Sequence, residues 1–132
     1  MHWLGQRVSA MLAEADAGFS GDAGREARRA FIDHVSELVD DIANRDGVTA
    51  AFASYEGLLV AASGISSDFE ALAAMAQASL VPAYHSAGVL ELGDLRQLVI
   101  VGDRQKLALV WIGPVTVGIV SPSEVNLAAA TA

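Results

Sequence analysis

Apolar residues follow two rhythms along this chain. Near the N-terminus they recur every three or four positions. Trp3, Leu4, Val8, Met11, Leu12 and Ala15 predict a short amphipathic helix over about Trp3–Ala17. Phe31, Ile32, Val35, Leu38, Val39 and Ile42 predict a second over about Arg25–Asn44, ended by Arg45-Asp46-Gly47. The segment Gly18–Gly24 breaks the two apart, with Ser20 and Asp22 as candidate caps. From Gly47 onward the rhythm changes. GVTAAFASYEGLLVAASG reads as a hairpin in which two apolar segments flank the turn Tyr55-Glu56-Gly57, punctuated at its ends by Gly47 and Gly64. Three more strands are predicted at Leu95–Gly102, Lys106–Gly113 and Val115–Ser121, joined through Asp103-Arg104-Gln105 and Gly113-Pro114 and stopped by Pro122. Gln97–Val101 and Leu107–Ile112 are almost continuously apolar, as strands are when both sheet faces are covered. The tail after Ser123 has room for a short helix and is expected to fray.

Between hairpin and last strands lies DFEALAAMAQASLVPAYHSAGVLEL, a helical composition with Ser67 or Asp68 as its cap. After Asp68 its formal charges are Glu70 and Glu91. A helix on a monomer's surface carries a polar face, and this one has small residues nearly all round. Both of its sides are therefore expected to meet protein, most simply a second copy of the chain. Pro82 removes a backbone donor and crowds the carbonyl of Ala78, which predicts a bend or break near Ser79–Leu80.

The order helix, helix, strand, strand, helix, three strands predicts an α+β fold. Short connections make consecutive strands antiparallel neighbours, and helices on both faces of one sheet are the economical packing. Residues 1–24 read as an N-terminal helical extension and residues 25–132 as the main domain.

Composition narrows the function. A formal charge of −8 opposes nucleic acid and anionic membrane surfaces as partners, because phosphate binding needs clustered cations. The basic cluster present is Arg25, Arg28 and Arg29. The chain has no cysteine, which removes disulfides and thiolate chemistry. No apolar run reaches the roughly 20 residues of a membrane span, and Arg7 and acidic residues interrupt what would be a signal peptide. A cytoplasmic protein without membrane insertion is expected. The 53% hydrophobic content then points to a buried partner surface.

The charges of the second helix are inverted relative to its dipole, with the arginines in the first turns and Glu37, Asp40 and Asp41 near the end. Asp33 is placed to offset Arg29 at i, i+4. A solvated polar face with local pairs accounts for this and is the favoured reading. Two such helices running antiparallel, basic half against acidic half, are the other.

Catalytic chemistry is not visible. Neither G-x-x-x-x-G-K-[ST] nor G-x-G-x-x-G occurs. His2, His34 and His85 sit on different elements, which disfavours a metal site. Ser63, Ser66 and Ser67 precede a helix, where capping explains them, and Asp40 and Asp41 diverge by about 100° on a helix. Glu56 belongs to a turn. A binding protein without catalytic residues, cofactor or metal is the expectation.

The residues from about Phe31 to Asn126 resemble the roadblock/dynein-light-chain family. The match lies in an ordered set: a helix ending before Asp46-Gly47-Val48, a strand running into Tyr55-Glu56-Gly57-Leu58-Leu59-Val60-Ala61, and an Ala-rich helix. Leu92-Gly93-Asp94-Leu95-Arg96-Gln97-Leu98-Val99-Ile100 follows, then the Lys106–Ile112 strand, a last strand closing on Pro122, and Asn126-Leu127. Bacterial members related to gliding-motility regulators look closest. The resemblance implies the profilin-like roadblock fold, a five-stranded antiparallel sheet with the Ala-rich helix on one face and the terminal helices on the other. The Met1–Gly24 helix is then additional and able to replace the family's third helix.

Family members pair an edge strand and that helix across a two-fold axis, which here implies a homodimer, or a dimer with another roadblock-type chain, through Leu95–Val101 and Phe69–Leu90. The residues expected at the dimer interface are Leu72, Met75, Leu80, Leu95, Gln97, Leu98, Val99 and Ile100. The implied function is regulation of, or scaffolding for, a Ras-like small GTPase. A partner-binding surface is expected at Gln77, Ser79, Tyr84 and His85, the helix's few polar or amphipathic residues. A scaffold indifferent to nucleotide state is the alternative, and a small-ligand sensor ranks below both because no convergent polar groups mark a pocket.

Overall fold

Alternation and turn chemistry produce the hairpin first. In the computed structural model, which describes residues 2–16, 21–66 and 68–124, strands β1 (Ala50–Tyr55) and β2 (Leu58–Gly64) are antiparallel. Their connection places Glu56 at φ 50° and Gly57 at φ 87°, the two left-handed positions that match a two-residue turn to the strands' twist. One extra residue, Val60, bulges from β2 between the pairs Ala53–Ala61 and Ser54–Leu59. Strands β3 (Gln97–Val101), β4 (Gln105–Ile112) and β5 (Val115–Pro122) complete an antiparallel sheet of order β2-β1-β5-β4-β3. The edges are therefore β2 and β3.

Helices α1 (His2–Asp16) and α2 (Gly21–Ala43) cover one face and α3 (Phe69–Val89) the other. Leu4 and Val8 of α1 and Val35, Leu38, Val39 and Ile42 of α2 meet Ala51, Ala53, Val117 and Ile119. Opposite them, Ala73 and Ala76 of α3 meet Ala50, Phe52, Leu107, Leu109 and Val120. The expected α+β architecture, a five-stranded antiparallel sheet with helices on both faces, is the observed one. Trp3 fastens α1 to the end of α2, with the Arg45 guanidinium 4.3 Å and that of Arg7 5.8 Å from its ring centroid. Arg7 also reaches Asp41 at 3.3 Å.

Some boundaries differ from the sequence reading. The second helix begins at Gly21, so Asp22 and Gly24 lie inside it and Asp22 is no cap. Helix propensity is a weak prior that tertiary packing overrides, and here the buried Gly24 joins the helix. Ser20, Ser67 and the tail from residue 125 fall outside the described residues. Asp68 is the cap of α3, its carboxylate accepting from the Ala71 N–H at 3.0 Å. The helix then runs unbroken through Pro82 to Val89. Leu95 precedes β3 rather than opening it. Among the described residues, no helix is long and apolar enough to cross a membrane.

Candidate functional site

Strand pairing fixes which side chains share a face. Leu98 pairs with Leu109 and Ile100 with Leu107, which places both on the α3 side of β3. Gln97 and Val99 pair with Val110 and Ala108 and lie on the opposite side. The expected interface residues of this strand are thus divided between two faces. Being at the edge, β3 leaves Val99, Ile100 and Val101 exposed, so the apolar run does not signal double coverage within one chain. β4 does obey that reading, with Leu107–Val110 buried.

α3 rests on β1, β2 and β5 and leaves a groove between itself and the β3–β4 half of the sheet. The groove's upper part, about 670 Å³, is lined by Leu72 and Met75 of α3 and by Ile100 and Leu107 across from them. Lower down, Ser79, Pro82, Ala83 and Ser86 face Leu95 and Leu98, and the groove also touches Gln97 at the start of β3. Seven of the eight expected interface residues therefore belong to this groove or to the β3 edge. Leu80 alone among them is half-buried outside the groove lining.

The four expected partner-binding residues do not form one cluster. At ~100° per residue, Gln77 and Tyr84 fall ~20° apart on one flank of α3 while Ser79 falls on the other. Gln77 lies over the hairpin turn, where a Cβ on Gly57 would meet its Cγ at 3.1 Å. The Ser79 hydroxyl donates to the Met75 carbonyl at 2.8 Å inside the groove. His85 is exposed on the outer side of the helix. The exposed surface of the helix also carries Val81, 75% exposed, which composition did not single out, along with the expected Tyr84 at 52%.

Below α3, one rung of the sheet is polar. Ser54, Thr116 and Trp111 are neighbours on β1, β5 and β4, and the buried Ser54 Oγ and Trp111 Nε1 make no hydrogen bond within the chain. Among the described residues, no group of three acidic, histidine or cysteine side chains is arranged to hold a metal. His34 is half-buried on α2, far in sequence from His85 on α3.

A five-stranded antiparallel sheet of this order, carrying α2 on one face and a crossing helix α3 on the other beside an open edge, is the roadblock/LC7 fold. The chain is similar to Myxococcus xanthus MglB, with TM-score 0.67 and 13% identity over 76% of this chain and 78% of that one. It is also similar to a Roadblock/LC7 domain from Streptomyces avermitilis, with TM-score 0.61 and 24% identity over 72% and 83%. An MglB structure described as having a tetrameric arrangement aligns at TM-score 0.68 and 15% identity over 76% and 79%. No protein-family model and no curated protein matches the chain.

Proposed function

We propose that this chain is a non-enzymatic regulator or adaptor that works as a symmetric pair and binds a Ras-like small GTPase. The observation that carries the reading is the open apolar groove of α3 with the bare β3 edge. An exposed apolar edge strand is a standing invitation to aggregation unless something covers it. A second copy covers it most simply, β3 beside β3 and α3 beside α3 about a two-fold axis, because such a contact needs only one self-complementary patch. Leu72, Met75, Leu98 and Ile100 then lie in the interface, with Leu95, Gln97 and Val99 at its margins. The tetrameric arrangement reported for one MglB supports self-association as a property of the fold.

Pairing brings two α3 helices side by side and makes one surface of their outer faces, where Val81 and Tyr84 are exposed. That surface is the proposed GTPase contact, with His85 on it, Gln77 beside Tyr84 at its border and Ser79 withdrawn into the groove. A regulator acting there needs no cofactor and no catalytic group. By binding one nucleotide state more tightly than the other, it shifts the GTPase population toward that state. The 1–24 extension takes the place of a third helix on the far face through α1, and the protein works in the cytoplasm. A scaffold indifferent to nucleotide is the second reading.

The test is capture of partners from native lysate with GTP analogue or GDP added, read by mass spectrometry. Retention of a small GTPase with one nucleotide state alone is the expected result. Equal capture in both states favours the scaffold, and no GTPase in either state overturns the proposal.

A further inference from the structure

The flank of α2 that faces away from α1 carries an exposed apolar residue and charges of both signs, and nothing in the groove or the β3 edge involves it. α1 lies along the side of α2 marked by the Arg7–Asp41 pair. Ile32 stands ~180° around the helix from Asp41, on the flank opposite α1, where α2 lies over the β2 side of the sheet. It is 46% exposed, although every other apolar residue of the α2 stripe is buried. Arg29 and Asp40 flank it and are exposed, and Ser36 lies between Ile32 and Asp40. These four positions fall within ~80° of one another around the helix. The stripe thus reads basic, apolar, small, acidic.

We infer that this stripe is a second homotypic contact, in which α2 packs antiparallel against α2 of another copy about a two-fold axis. Setting Ile32 opposite Ser36 of the second copy makes two equivalent layers, each a branched side chain against a small one. The same register brings Arg29 opposite Asp40 of the second copy to within about one residue's rise, ~1.5 Å. One two-fold operation therefore satisfies both the apolar and the charged positions. A stripe that only needed solvation would require no such match. The inverted charges of α2, unfavourable for the helix itself, become complementary across the contact. The contact is small, so the association is weak and concentration-dependent. It lies at the sheet edge opposite β3, so it joins pairs into larger assemblies rather than competing with β3 pairing.

The experiment measures mass against concentration by sedimentation for the wild type, Arg29→Asp, Asp40→Arg and the double reversal. The wild type is expected to show a step to twice the mass of its smallest unit. The two single reversals change net charge in opposite directions, yet each replaces attraction by repulsion at both ends of the contact and weakens the step about tenfold or more. The double reversal restores it to within about threefold. A wild type without the step, single reversals that shift it in opposite directions as net charge alone dictates, or a double reversal that fails to restore it overturns the inference. Repeating the series with Ile100→Asp separates this contact from the β3 pairing. The α2 step persists there from a smaller starting unit, and failure of the β3 pairing leaves the charge-swap result intact.

Discussion

Glu91 occupies a position that glycine normally fills. The Leu92 N–H donates to the Ala87 carbonyl at 2.9 Å and the Glu91 N–H to that of Gly88 at 3.1 Å, the paired closure of a Schellman motif at the end of α3. Its residue beyond the cap is left-handed, and Glu91 sits there at φ 56°. A side chain with a Cβ pays ~1 kcal/mol in that region. Glu91→Gly is therefore expected to raise stability by about 0.5–1 kcal/mol, read as a higher denaturation midpoint in urea with unchanged m-value. Gly118 on β5 makes the opposite case. It pairs with Phe52, whose fully buried ring lies across it, and a Cβ there would fall inside the ring's van der Waals envelope. Gly118→Ala must push a core aromatic and is expected to cost about 1–3 kcal/mol, seen as a lower midpoint in the same assay. A neutral outcome would show that Phe52 has another rotamer open to it.

At the scale of elements, the helix with the least polar sequence was the hardest to orient. The buried residues of α3 include Ala73, Ala76 and Ala87, while Ala71, Ala74 and Ala78 are exposed. Identical side chains carry no phase, so composition reveals a helix with little polar surface but not which of its flanks faces the groove. Hence Leu80 reads from composition like Leu72 and Met75 although it lies outside the groove lining, and Gln77, Ser79 and Tyr84 read as one group although they diverge around the helix. The hairpin, by contrast, was legible because alternation and the Glu56-Gly57 turn agree. β3 and β4 were legible as strands, but an apolar run reads alike whether its cover comes from the same chain or another. α1 was legible as amphipathic, not as indispensable. Its Leu4 and Val8 are fully buried in the core shared with α2. Leu4→Ala is expected to cost about 2–5 kcal/mol in chemical denaturation. A cost below ~1 kcal/mol would mean that the site collapses or that α1 is only loosely docked.

For the whole molecule, the question is what covers the β3 edge, and two neighbouring residues separate association from folding. Leu98 is half-buried and packs against the Phe52 core, so a charge there attacks the fold itself. Ile100 faces the same groove but is 43% exposed in the single chain. Its carboxylate replacement remains hydrated while the chain is alone and is desolvated when a second copy docks. Ile100→Asp is therefore expected to keep the circular dichroism of the wild type while lowering the mass of its smallest unit, read at the dilute limit in sedimentation equilibrium, to that of one chain. Because burying an unpaired charge costs more than the contact it replaces gains, the association constant should fall by at least about a hundredfold. An unchanged mass in a folded Ile100→Asp protein would remove β3 and its groove as the pairing surface. It would also detach the GTPase reading from its geometric support, since that reading needs the two α3 helices brought side by side. A folded single chain that still captures a GTPase would place the contact on one α3 alone.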